Sequence, residues 1–292
     1  MKEAKEKWVL LIALTLIWGS SFILIKKGLE HFSPYQVGSL RVLIAGLMLA
    51  PTAILNFKKF PKGKLKWVVL AAVTGNFIPM FLFPIAETEL SSSVAGIINS
   101  MMPIFVIIVG ALFWKIKSTK RQITGVLISF SGACLLMLSS HDVDGIKVFP
   151  VLLLLLATFL YGISVTTVGA KLKEVPAKVL SGFVFFYVLF IPSLIALFLS
   201  GFFSDFKGTE SDFIGLGYVA ILAVFGTGLA MLMQYRLLKI SNPLFASTVT
   251  LLMPVVAVMW GLLYGETLTA LQYLGGIIII GGLLFLRGRK LP

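Results

Sequence analysis

Long apolar runs alternate along this chain with short breaks made of basic residues, glycine, proline and serine. Ten such runs stand near 8–25, 35–55, 66–86, 91–114, 122–139, 148–170, 179–200, 213–235, 244–264 and 271–286. A helix crossing a bilayer needs about 20 consecutive apolar residues, and each run is close to that length. The pattern predicts an all-α integral membrane protein of ten transmembrane helices. Met1–Lys7 is charged and precedes the first run, as in a signal peptide. The run itself is too long for a cleaved h-region and has no small-residue cleavage site, so it reads as a permanent span.

Charge fixes the direction of the spans. With the N-terminus in the cytoplasm, 20 of the 25 basic residues fall in loops or ends on the inner side. Only Lys26, Lys27, Lys147 and Lys207 fall outside, and Arg41 lies within the second run. That asymmetry is what the positive-inside rule asks of short loops. Both termini are therefore expected in the cytoplasm, in a multi-pass protein of the plasma or inner membrane.

Composition narrows the class further. The chain is 58% hydrophobic and 13% charged, with a mean hydropathy of +1.01, whereas a soluble domain keeps about 25% charged. The lipid bilayer is then the partner that surrounds it. The net charge of +13 does not indicate nucleic acid, because the basic residues form small inter-span groups and no stripe. Cys134 is a single cysteine, and His31 and His141 lie in separate loops; neither a disulfide framework nor a metal site is expected, and no cofactor is implied. An intramembrane protease is not expected either, since no acidic pair and no histidine lies at membrane depth.

The two halves repeat. At a shift of 151 residues Gly75 meets Gly226, Met80 meets Met231, Ala95 meets Ala246, Met102-Pro103 meets Met253-Pro254, and Gly110 meets Gly261. One residue of slippage brings Gln122, Gly125 and Gly132 onto Gln272, Gly275 and Gly282. At a shift of 143, Trp18-Gly19 meets Tyr161-Gly162. The units are 1–145 and 146–292, five helices each, and an odd number of spans makes the second copy enter from the opposite side. Inverted repeats of this kind characterise secondary transporters.

Trp18-Gly19-Ser20-Ser21, Ser33-Pro34 before Arg41, Ser92-Ser93-Val94-Ala95-Gly96 leading to Pro103, and Gln122 with Gly125 and Gly132 form one ordered series. Ser241 to Ala246, Pro254, Gly265-Glu266, Gln272, Gly275 and Gly282 repeat it. In this order the chain resembles the EamA-like branch of the drug/metabolite transporter superfamily. The resemblance implies export or exchange of small metabolites, amino acids or amphiphilic and aromatic compounds among them. Two departures stand out: Trp114-Lys115 replaces the first-half Gly-Glu pair, and Phe183 or Val184 stands where a second arginine would mirror Arg41.

Candidate binding residues are Trp18, Asn76, Asn99, Tyr161, Thr227 and Thr250, polar or aromatic positions near mid-span that pair across the repeat. Pro103 and Pro254 are candidate hinges, since an interior proline leaves the carbonyls of Asn99 and Thr250 without a helical donor; ordinary packing kinks are the alternative. Arg41 is the only charge within a span and defaults to a functional role, as an outer gate or a contact for a substrate carboxylate, with Glu87 as its nearest acidic candidate. A structural ion pair is the alternative there. The glycine pairs at 125/132 and 275/282 favour close helix packing, in a monomer or a homodimer. A membrane sensor or accessory subunit on a transporter fold is the competing function.

Overall fold

The computed structural model describes residues 2–138, 147–263 and 269–287. These residues are helical, with no strand among them. The helices are α1 (Lys2–Leu29), α2 (Pro34–Leu55), α3 (Lys62–Glu87), α4 (Ser92–Asn99 and Met102–Trp114), α5 (Lys120–Leu138), α6 (Val148–Leu172), α7 (Ala177–Leu199), α8 (Glu210–Ile240), α9 (Pro243–Ser247 and Val249–Leu263) and α10 (Ala270–Arg287). Seven of them, α1 to α4 and α6 to α8, are long and apolar enough to cross a membrane, and α9 and α10 contribute shorter apolar helices. His141, the Gly265-Glu266 pair and the basic tail at Arg289 and Lys290 lie outside the described residues.

The family-like polar motifs act as helix starts. Ser33 and Gln36 form a reciprocal capping box at α2, with Pro34 in its first turn. Thr119 and Gln122 bond reciprocally at the head of α5, at 2.8 and 3.2 Å. Thr269 and Gln272 repeat that arrangement at α10 with the same two distances. Each box satisfies backbone donors that a helix end leaves unpaired. At the other end of α4, Lys115 takes φ 53°, the left-handed position that glycine usually fills.

Two differences from the hydropathic expectation have a physical cause. α8 runs on to Ile240, past the expected end of the span near 235, and in that last stretch the Arg236 guanidinium is held by Glu6 through bonds of 2.7 and 2.8 Å. A charge met by a bidentate partner does not oblige the helix to stop. π-helical segments occur in α3 (Val73–Phe77), α6 (Val168–Leu172), α7 (Phe183–Val188) and α8 (Val224–Leu229), and those of α3 and α8 begin 151 residues apart. No periodicity argument anticipates such a local widening.

Small residues bring the helices together. A Cβ on Gly132 would lie 2.8 Å from the Gly275 carbonyl oxygen, and one on Gly125 would lie 2.9 Å from that of Gly282. α5 and α10 therefore touch backbone to backbone, and the Ser129 hydroxyl donates to the Ile279 carbonyl across the seam at 3.1 Å. The buried apolar core gathers α1, α2, α3, α6, α7 and α8 around Leu14, Leu49, Leu172, Phe185 and Leu237.

Candidate functional site

A cavity of about 90 Å³ lies among α1, α2, α3, α4, α6, α8 and α9. Trp18, Asn76, Asn99, Tyr161, Thr250 and Arg41, six of the positions expected from sequence, line it together. Thr227, Glu87, Pro103 and Pro254 do not. Its walls also take in Ser21, Ser164, Met80, Met231, Gln234 and Tyr235, which sequence reading did not single out.

The lining is built in matched pairs. At a shift of 143, Trp18, Ser21, Phe22 and Ile25 of α1 correspond to Tyr161, Ser164, Val165 and Val168 of α6. At 151, Gly75, Met80, Phe83, Asn99 and Met102 correspond to Gly226, Met231, Gln234, Thr250 and Met253. Four lining residues stand outside this pairing: Arg41, Asn76, Tyr235 and Leu238. The packing behind the wall follows the same pairing, for Gly75 abuts Ser164 and Gly226 abuts Ser21.

The π segment of α8 organises one side. The Gly226 carbonyl accepts from the Trp18 indole N–H at 2.9 Å and, longer, from Arg41 Nη2 at 3.5 Å. Arg41 Nε donates to the Thr227 hydroxyl oxygen at 2.7 Å. Thr227 thus holds the arginine from behind the wall. π bulges recur at functional sites because they release backbone groups from the helical ladder. Among the described residues Arg41 makes no ion pair. Glu87 is buried and accepts from the Ser92 hydroxyl at 3.3 Å, while the Lys26 ammonium donates to the Glu87 backbone carbonyl at 3.3 Å.

Elsewhere in the lining, polar atoms are poorly paired. The amide oxygens of Asn99 and Gln234 are buried without a hydrogen bond, and the buried Asn76 amide and Tyr235 hydroxyl face each other with no partner within 3.5 Å. All four side chains line the cavity. The Asn99 amide nitrogen has only the Met253 sulfur at 3.6 Å, a weak acceptor. Buried polar groups are nearly always paired, so a cluster of poorly paired ones around a single cavity is a polar surface with donors and acceptors to spare. Phe83 and Tyr161 stack beside it with centroids 5.8 Å apart.

The prolines sit differently from each other. Pro103 opens the second piece of α4, just after the break at Ser100–Met101, whereas Pro254 lies inside the longer piece of α9. The Thr250 carbonyl that Pro254 leaves without a donor accepts from the Ser100 hydroxyl at 3.0 Å. Ser100 is fully buried and ties the α4 break to α9. Gln234 and Tyr235 escaped notice because they stood at the presumed inner end of a span. A polar amide two turns inside the true end at Ile240 was the available signal.

A model of the EamA-like transporter family matches residues 7–138 and 148–288. The chain belongs to the EamA-like transporter family. An uncharacterized transporter of Archaeoglobus fulgidus is 27% identical over 97% of this chain and 100% of its own length. The uncharacterized inner membrane transporter YedA of Escherichia coli is 27% identical over 96% of this chain and 90% of its own. A probable amino-acid metabolite efflux pump of the same species is 24% identical over 96% and 94%. A solved crystal structure superposes with a TM-score of 0.72 over 96% of both chains at 14% identity, a likeness of fold. This EamA family member is accordingly a multi-pass transporter of the cell membrane.

Proposed function

We propose that this EamA family protein is a secondary carrier that exports or exchanges small metabolites by alternating access. Its solutes are amino acids or amphiphilic and aromatic compounds. The observation that carries this reading is the central cavity, most of whose lining pairs across the chain and whose walls hold poorly paired amide and hydroxyl groups. A solute with its own donors and acceptors satisfies those groups, and an aromatic or aliphatic portion rests on Trp18, Phe83 and Tyr161. The nearby family relative named as an amino-acid metabolite efflux pump supports amino acids as the first compounds to test.

The reading includes ten spans, cytoplasmic termini, and inverted repeats at 1–145 and 146–292. The distribution of basic residues supports the orientation. The recurrence of a π segment after 151 residues, together with the paired lining, supports the repeat. Two similar halves packed about one midplane site give two related arrangements, one open to each side. Purified protein in liposomes, loaded with a metabolite panel, tests the proposal. Solute-specific flux is expected, and Asn99→Ala and Thr227→Ala are expected to impair it with expression intact. Absence of flux across the panel, or wild-type rates in both variants, overturns the reading.

A further inference from the structure

A second cleft, of about 160 Å³, lies where the start of α1, the α8–α9 turn, the head of α5 and the end of α10 meet. It shares no lining residue with the central cavity. Buried Leu11, Leu237, Leu238 and Val249 belong to the packed core adjoining both. In the proposed topology all four helix ends are cytoplasmic, and this inference rests on that placement.

The lining holds one cation and no acid, and its Ser241 and Thr248 hydroxyls already donate to the carbonyls of Leu237 and Phe245. Lys7 lines the cleft, with its ammonium 4.9 Å from the centre of the Phe245 ring. No carboxylate pairs with it among the described residues. Gln122 and Asn242 line it too, and both have their amide oxygens engaged by the protein. Gln122 Oε1 accepts from the Thr119 backbone N–H at 2.8 Å, and Asn242 Oδ1 accepts from that of Phe245 at 2.9 Å. What each amide still offers is its NH2 group, a donor only. One cation and two donor groups therefore face a shared space with no acidic residue in its wall. Below this rim the wall turns apolar, through Leu11, Leu283 and Leu286.

We propose that this cleft binds an anionic phospholipid of the cytoplasmic leaflet, its phosphate at Lys7, Gln122 and Asn242 and the start of its acyl chains on the leucine floor. The Lys7 ammonium and the two NH2 groups match phosphate oxygens, which accept and do not donate. Basic pockets between helices at the cytoplasmic face recognise acidic headgroups on the same grounds. The leucine floor selects a lipid over a free anion, because a soluble phosphate leaves that apolar wall uncovered.

Thermal unfolding of the full-length protein in mild detergent tests the assignment, with added phosphatidylglycerol, phosphatidylcholine, glycerol phosphate or inorganic phosphate. Phosphatidylglycerol is expected to raise Tm by several degrees, an effect that shrinks in high salt, with little response to the other three. Lys7→Gln should abolish most of that rise while leaving the lipid-free Tm unchanged. Leu283→Trp, which fills the floor and keeps the charge, should weaken it too. Equal stabilisation by both lipids, or a full response in both variants, overturns the proposal. A response to glycerol phosphate or inorganic phosphate as large as that to phosphatidylglycerol overturns it in favour of a soluble anion. Labelling of Lys7→Cys by an impermeant reagent from outside intact cells overturns the leaflet assignment alone. Solute flux tests the carrier reading separately, since lipid binding is read without transport.

Discussion

Alanine at Gly75 should damage this protein more than alanine at Gly226, although the two positions correspond across the repeat. A Cβ built on Gly75 collides with the Ser164 hydroxyl oxygen and falls 2.6 Å from the Ser164 Cβ. A Cβ on Gly226 falls 2.7 Å from the Ser21 hydroxyl oxygen, with the Ser21 Cβ at 3.8 Å. A hydroxyl can swing aside by rotation about one bond; a Cβ moves only with its backbone. Overpacking a tight contact costs about 1–3 kcal/mol, so Gly75→Ala belongs near the top of that range. Gly226→Ala belongs at or below the bottom. Because the obstruction at Gly75 is one residue, Ser164→Gly should relieve it. That change alone removes the Ser164 bond to the Ala71 carbonyl at 2.9 Å and places glycine in a helix, a cost of about 1 kcal/mol. The double variant should nonetheless be more stable than the sum of the singles, with a coupling energy of about 1–3 kcal/mol. Reversible thermal or denaturant unfolding in detergent measures all four proteins. Equal losses at the two glycines, or strict additivity of Gly75→Ala and Ser164→Gly, refutes the reasoning.

Other outcomes follow from the same geometry. Asn76→Leu removes a buried amide with both polar atoms unpaired, so it should raise stability by about 1–3 kcal/mol while lowering solute flux; a loss of both would contradict the binding role. Thr227→Val deprives the Arg41 Nε of its 2.7 Å acceptor and should cost about 1.5–3 kcal/mol, the range for hydrogen bonds to charged groups, whereas Thr227→Ser should retain most of it in the same unfolding assay. Lys115→Gly relaxes a side chain held at φ 53° and should stabilise the protein by about 1 kcal/mol, read as a raised Tm with flux unchanged.

Much of the fold was legible because lipid imposes a coarse rule: each run of apolar residues must close its own backbone hydrogen bonds. The rule locates α2 between Ser33 and Asn56 almost to the residue, and Ser33, Gln36 and Pro34 explain why it starts there. It fails at α8, where Arg236 and Lys239 look like a loop until Glu6, far away in sequence, supplies the matching charge. The site was legible in part for a related reason. Trp18, Asn76 and Asn99 announce themselves as polar or aromatic residues near mid-span, and Tyr161 and Thr250 by correspondence across the repeat. Ser21 and Ser164 do not, because each bonds a backbone carbonyl and looks like any helix serine. Arg41 was visible as a lone charge, but its dependence on Thr227 and the Gly226 carbonyl arises from a π segment that hydropathy does not encode.

Arg41 has no counterpart across the repeat: Val184 stands at the corresponding position, fully buried in the core. In the proposed carrier, whose halves would exchange roles, this mismatch contributes to making the inward-open and outward-open arrangements unequal in energy. A guanidinium must find acceptors in both, and the carbonyl and hydroxyl it now uses belong to one of them. The inequality sets where the empty carrier rests and how often a solute finds the open side. It does not set the direction of net movement, which follows the gradients the solute and any companion ion supply. Removing the Arg41 charge would therefore change the resting balance and the two half-reaction rates, and leave the final accumulation ratio of a freely equilibrating solute where it was.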